Sequence, residues 1–278
     1  RVCEDSTDPH QTMALGEDEV VSLPFRFIVY AVAGLPTTAL FLCILCALLL
    51  HYDEATTTHC HVPNWLPSVS AAVSSFAPEK YIWRVLVGLH GGPRFLLAIA
   101  YRNFLLSSPL QPPNNSCMFR VLCQVACGIH IIENIFLLLL TAISSTENHQ
   151  AHAICFGIFG GSAIIYMFLS TFLYSYSGRR RSLSTKIGEA SFEYKSLAAS
   201  LSFISMIVAA YLYYRHNTYC EAGVYTLFAI AEYMIILSNI AFHSTLYLDF
   251  HGKSLMIGSS SSIGGYQYQL LPSVHKDS

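Results

Sequence analysis

Eight titratable or amide side chains sit inside apolar runs of this 278-residue sequence, at spacings that gather them on helix faces. His90 and Arg94 are four apart, His130, Glu133 and Asn134 fall within five positions, and Asn239 and His243 follow Glu232 by seven and eleven. At about 100° per residue, steps of 7 and 11 return to within about 20° of the start, and steps of 3 or 4 also stay on one face. An ionisable group at hydrocarbon depth is retained only where it meets a partner or water. Three helices must therefore turn these faces toward one another. The chemistry that a shared polar cavity could do is acyl transfer. His90, His130, Glu133, Glu232 or His243 could serve as general base or orient one, with Arg94 beside a phosphate or an oxyanion and Asn134 and Asn239 binding substrate. The plainer alternative is a set of interhelical bonds, Arg94 with Glu133 or Glu232, that only fixes packing.

Two sets of metal ligands also stand in the sequence. His59, Cys60 and His61 with His216 and Cys220 resemble a zinc donor set, but a disulfide would remove the thiolates and no paired zinc-finger spacing occurs. His90, His130 and His243 could form a three-histidine centre, with no known spacing behind it. No metal is expected. GxSxG, P-loop, GxGxxG and HExxH patterns are absent.

The elements that must position these residues are membrane spans. The chain is 53% apolar and only 12% charged, about half the charge of an ordinary soluble domain. Its net charge of −2, with no basic stripe, argues against nucleic acid. An all-α, polytopic bundle of six transmembrane helices is expected, at about 27–50 (with Pro36 bending it), 82–101, 121–143, 152–176, 196–214 and 222–248. Gly157 and Gly161 in the fourth form a small-xxx-small pair suited to close packing. Residues 1–26 would be a cytosolic N-terminal segment, 27–248 the membrane domain, and 249–278 a disordered cytosolic tail containing a sorting-like Tyr268-Gln269-Leu270-Leu271. Met13 reads as an initiator, which would make residues 1–12 upstream or fragment sequence.

Six spans put both termini on one side, and basic residues choose it. The termini and the second and fourth loops hold eleven Lys and Arg, including Arg179, Arg180 and Arg181, against three (Lys80, Arg84, Arg215) on the other side. Both termini should be cytosolic. Cys60 and Cys220 are then the only cysteines in lumenal loops and should pair in that oxidising compartment, the alternative being two free thiols. The sequon Asn114-Asn115-Ser116 would lie unused in the cytosol.

Several stretches carry a family resemblance: Thr56-Thr57-Thr58-His59-Cys60, Val62-Pro63-Asn64, Leu66-Pro67-Ser68-Val69-Ser70, Tyr81-Ile82-Trp83-Arg84, Gly88-Leu89-His90, Pro93-Arg94-Phe95 and Glu133-Asn134. The longest is Arg215-His216-Asn217 with Tyr219-Cys220-Glu221-Ala222-Gly223-Val224-Tyr225-Thr226, then Phe228-Ala229-Ile230 and Glu232-Tyr233. From about Arg26 to Asp249 the chain resembles the post-GPI-attachment-to-proteins factor 2 family. One departure is Ala151-His152-Ala153-Ile154, where that family has an acidic and an amide residue beside the histidine, which counts against a role for His152. The resemblance implies a protein of the Golgi membrane, and of the endoplasmic reticulum as a second location. It would act when a lyso-GPI is reacylated at sn-2 with a saturated chain, with GPI-anchored proteins and membrane lipids as substrates. No bound cofactor is expected; the acyl donor is left open by the sequence, acyl-CoA being one candidate. The competing expectation is a non-catalytic subunit that presents the GPI lipid to a separate acyltransferase.

Overall fold

The computed structural model describes residues 21–110, 116–182 and 185–257. Asn114, Asn115 and the Tyr268–Leu271 motif lie outside the described residues. Two compact units are distinguished, residues 26–251 and the remainder. In the smaller one, strands β1 (Val21–Pro24) and β2 (Ser254–Ile257) pair antiparallel, with Val21 opposite Ile257. Four residues expected in a disordered tail are thus a strand.

The larger unit is helical. It comprises α1 (Phe25–Leu50), α2 (Tyr52–Thr56), α3 (Val69–Ser74), α4 (Glu79–Leu106), α5 (Ser116–Ala142) and α6 (His149–Tyr176). There follow α7 (Arg179–Ser182), α8 (Thr185–Tyr219), α9 (Val224–Ser244) and α10 (Leu246–Asp249). Among the described residues, five helices are long and apolar enough to cross a membrane: α1, α5, α6, α8, and α9 continued into α10. Helix α4 has the length, 28 residues, but Glu79, Lys80, Arg84, Arg94 and Arg102 deny it the apolar composition. It is the expected second span, and the long helix without a sufficiently apolar stretch lies where chemistry was expected.

Helix α8 departs from expectation. The segment 182–195 reads as a charged loop, yet helix starts at Thr185 and runs 35 residues. Two ion pairs hold the extension. Arg180 Nε lies 2.7 Å from Glu189 Oε1, and Lys195 Nζ donates to Asp249 Oδ2 at 2.6 Å. Gly188 permits α7 to approach, because a Cβ there would meet the Arg180 carbonyl. Asp249, placed by the sequence at the head of the tail, is wholly buried in α10.

Helix α8 lies along α9, α5 along α4 and α6, and α6 also meets α8. Small residues make the α8–α9 contact, where Ala209 and Ala231 are buried with Ile235, as expected when helices associate without a hydrophobic drive between them. The glycines behave differently from expectation. A Cβ at Gly157 or Gly161 would meet nothing, whereas Gly160 lies against Met206. Large apolar side chains such as Ile165, Phe168, Leu197 and Ile204 point outward, as a lipid-facing surface requires. A second core joins α1, α3 and α4 through Ala39, Leu40, Cys43, Val69, Trp83 and Val87.

Candidate functional site

The polar faces of α4, α5 and α9 converge on Arg94. Its Nη2 forms an ion pair with Glu133 Oε1 and donates to Asn239 Oδ1 at 3.2 Å and to His243 Nε2 at 2.5 Å, while its Nε lies 3.4 Å from His130 Nε2. Asn239 Nδ2 closes the ring on Glu133 Oε1 at 2.8 Å. A guanidinium only donates, so both histidines present unprotonated Nε2 atoms to it and carry their protons on Nδ1. Those two Nδ1 atoms, with Glu133 Oε2 and Asn134 Oδ1, have no hydrogen-bond partner among the described residues. The rings of Tyr166, His130 and His243 stack, with neighbouring centroids 4.2 and 4.8 Å apart. Of the two carboxylates offered by the sequence, Arg94 thus takes Glu133.

Glu232 does something else. Its Oε2 accepts the backbone N–H of Val69 at 2.8 Å, which fastens α3 against α9. Ser68 caps α3 by accepting from the Ala71 amide at 3.0 Å, and Tyr225 Oη lies 2.9 Å from Ser68 Oγ.

A cavity opens beside this assembly. Its walls include Val69, Ser70, Trp83, His90, Arg94, His152, Glu232, Asn239 and His243. A second cavity of about 450 Å³ between α6, α8 and α9 shares Ser70, Ser145, His152, Phe156 and Glu232 with the first. Both walls are mostly apolar, with His90, Arg94, Asn239 and His243 set into the first and Met206, Tyr213 and Phe228 into the second. His130, Glu133 and Asn134 line neither cavity and stand behind the wall. Asn134 spends its amide on the Gly91 carbonyl at 3.0 Å. His90 Nδ1 donates to the Val87 carbonyl at 2.6 Å, which leaves its Nε2 with a lone pair.

Some site residues were not singled out by sequence. In the sequence Ser70 stands out only as part of a motif, and the residues beside His152 count against a role for it. In the structure Ser70 Oγ lies 2.9 Å from His152 Nε2, and His152 Nδ1 lies 2.7 Å from the Ile143 carbonyl. Lys195, Asp249 and Ser191 form a second buried cluster, each contact at 2.6 Å. Arg179 donates to the Phe104 carbonyl at 2.8 Å. The signal for these was a charge at the edge of an apolar run, which reads equally well as a loop boundary.

Among the described residues, two groups have donor atoms close enough for a metal, those of each group within 4.8 Å of one another. In His59, Cys60 and His216 the sulfur belongs to a disulfide with Cys220, S–S 2.12 Å. In His130, Glu133 and His243, all buried, the Arg94 guanidinium already bonds the carboxylate and both imidazoles. The three-histidine set including His90 is not brought together as a ligand cluster.

The disulfide belongs to a wider clasp. The segment 57–68 is tied to the start of α9 by Gly223 N–H to the Pro63 carbonyl at 2.9 Å, by Trp65 N–H to Thr226 Oγ1 at 2.9 Å, and by Tyr233 Oη to the Pro67 carbonyl. Gly223 has φ +77° and the Trp65 ring packs where a Cβ would stand, so only glycine fits there. Nearby, the Ser144 amide and the Arg84 guanidinium hold the exposed Glu147 carboxyl below its ordinary pKa.

Comparison with known proteins adds lineage. A family model described as "Frag1/DRAM/Sfk1/Cwh43P N-terminal domain" matches residues 24–253. The chain is 58% identical over 266 residues to "Post-GPI attachment to proteins factor 2" of Caenorhabditis briggsae, covering 95% of this chain and 100% of that one. To "Acyltransferase PGAP2" of Xenopus tropicalis it is 38% identical, covering 88% of this chain and 94% of the relative. To "Protein cwh43" of Schizosaccharomyces pombe it is 26% identical over 216 residues, 76% of this chain but only 20% of that much longer protein. No solved structure matches.

Proposed function

The chain belongs to the post-GPI attachment to proteins factor 2 family, a group of multi-pass membrane proteins of GPI-anchor remodelling, and from that premise we propose that it catalyses reacylation of lyso-GPI. A saturated acyl chain would be joined to the free sn-2 hydroxyl of the anchor lipid in the Golgi membrane, the substrates being GPI-anchored proteins and an acyl donor. The printed name of the Xenopus relative, an acyltransferase, supports the reaction class.

One observation carries the reading: a mostly apolar cavity holds His90, Arg94, Asn239 and His243 in its wall and shares five wall residues with a second, equally apolar cavity. A lysolipid makes the same demand, a few polar groups for its hydroxyl and phosphodiester and a long apolar wall for its hydrocarbon. His90 turns an open Nε2 lone pair to the cavity and is placed to accept the sn-2 hydroxyl. His243 and Arg94 stand beside the phosphate position. Behind them, His130, Glu133 and Asn134 hold Arg94 and α4 in register.

The same reading takes α4 as a sixth span, with both termini in the cytosol and the cavity reached from the lumen. The clasp supports this, because Cys60 and Cys220 can meet only if an even number of crossings separates them. Helices α4, α5, α6 and α8 make four.

The decisive test is purified chain given lyso-GPI and a saturated acyl donor. Formation of diacyl GPI is expected. Binding of lyso-GPI without turnover, restored only by a second purified acyltransferase, would make the chain the presenting subunit instead.

A further inference from the structure

Acyl transfer can proceed directly from donor to acceptor or through the enzyme, and the cavity contains the parts for the second route. Ser70 lies in the first turn of α3 and His152 in the first turn of α6. A carbonyl oxygen only accepts, so the 2.7 Å contact with Ile143 fixes the His152 proton on Nδ1. Its Nε2 is then a bare lone pair, and the contact at 2.9 Å makes Ser70 Oγ–H the donor to it. This is the hydrogen-bonding arrangement that activates a serine: a hydroxyl on a base, and the base oriented by a third group. Three further observations favour chemistry over mere packing. Both residues line both cavities, so the hydroxyl stands where the two adjoin. Ser70 is only partly buried and can be reached, while its partner is 9% exposed. The helix that carries Ser70 is clamped by Glu232 and by its own Ser68 cap, which holds the hydroxyl still.

We propose that Ser70 and His152 are a nucleophile–base dyad and that the saturated chain passes through an ester on Ser70 Oγ. The proposal rests on the acyl-transfer reading above. In the first half-reaction Ser70 Oγ gives its proton to His152 Nε2 and bonds to the carbonyl carbon of an acyl thioester or acyl ester donor. The donor's carbon–sulfur or carbon–oxygen bond breaks, and the leaving thiol or alcohol takes the proton from His152. In the second, the lysolipid hydroxyl passes its proton to His152 and attacks the Ser70 ester carbonyl. The Ser70 oxygen leaves and recovers that proton. No net oxidation or proton change occurs, and the dyad is regenerated. His90, with its open Nε2, receives the hydroxyl on binding and is not the base of either step: the hydroxyl turns its single proton from His90 to His152 before it attacks.

The experiment uses purified full-length chain in lipid nanodiscs, without acceptor, and a radiolabelled saturated chain supplied either as acyl-CoA or at sn-2 of phosphatidylcholine. Label is expected on the peptide containing Ser70, released by alkaline hydroxylamine as an oxygen ester, and the donor that delivers it is thereby identified. Ser70→Ala and His152→Gln, at matched protein level, should lose the label and about 10²–10⁴ in transfer rate. Ser70→Cys should carry the label as a thioester released at neutral pH, an outcome that a structural serine would not give. Transfer to lyso-GPI by the native chain with no label on Ser70, or by Ser70→Ala at the native rate, overturns the dyad and leaves the acyltransferase reading standing. Label on Ser70 with no transfer to lyso-GPI keeps the dyad and overturns the acceptor. Neither label nor transfer with either donor overturns both.

Discussion

With its guanidinium bonded to Glu133, Asn239, His130 and His243 and 2% of its surface exposed, Arg94 depends on Glu133 for charge balance. Removing one member of a buried pair strands the other charge, typically at about 3–5 kcal/mol, whereas removing both costs far less. Glu133→Gln should therefore lower the amount of folded protein sharply, and Arg94→Gln combined with Glu133→Gln should recover much of it, as read by size-exclusion profile and protease resistance in membranes. Equal loss in the single and double variants would show that the pair is not the main stabilising term. His90→Gln belongs to the other class. It should fold normally, because the bond that it gives up to Val87 is one of many, and its turnover with lyso-GPI should fall about tenfold, the equivalent of about 1.4 kcal/mol at the acceptor hydroxyl. Native turnover would remove His90 from the acceptor site. The sequence made the Arg94 cluster legible because charges inside apolar runs are rare and their spacings fix a face. It did not reveal that Glu133 and His130 stand behind the cavity wall, since depth within a bundle depends on which neighbours close over a face. Ser70 and His152 were illegible for another reason: a serine in a polar loop is ordinary, and its partner lies 82 residues away.

Short α3 shows what a small element contributes. Six residues make no stable helix alone, so α3 exists by its attachments: Ser68 at its cap, Val69 in the core with Trp83 and Val87, and the Glu232 carboxylate on the Val69 amide. Glu232→Ala should leave that amide unsatisfied at about 1–3 kcal/mol and release α3, reducing transfer by loosening the segment that carries Ser70. Glu232→Gln keeps an accepting oxygen and should restore most of it. Faster hydrogen exchange at Val69–Ser74 in Glu232→Ala alone would confirm the clamp, and unchanged exchange would refute it. The disulfide acts on the same segment from the other end. It closes a loop of sequence separation 160, and loss of a native bridge typically costs about 2–5 kcal/mol in small secreted domains. Cys60→Ser should accordingly reduce folded protein. The long helices were readable from apolar length, but the extension of α8 back to Thr185 was not. Its charges are satisfied by Arg180 and Asp249, partners that become visible only when the chain is folded.

At the scale of the whole molecule, α4 decides how many times the chain crosses. Five helices qualify by composition and α4 does not, so a count from hydropathy alone would place the two ends on opposite sides. The clasp argues otherwise. Between Cys60 and Cys220 run α4, α5, α6 and α8, and residues joined covalently face the same compartment, so the crossings between them must be even. Without α4 they would number three. The charges of α4 do not forbid a crossing: Glu79, Lys80 and Arg84 lie at one end and Arg102 at the other, where long side chains reach the headgroups. Arg94, midway, is neutralised by Glu133. In the proposed six-span arrangement, the excess of Lys and Arg, eleven against three, would place both termini in the cytosol and the clasp in the lumen. Epitopes at residue 12 and after residue 278 should both be reached by antibody when only the plasma membrane is permeabilised. An epitope between residues 145 and 148 should stay hidden until the Golgi membrane is opened, and Asn114 should carry no glycan. A glycan on Asn114 in the native chain would place the α4–α5 connection in the lumen, leave α4 uncrossed, and overturn the six-span arrangement.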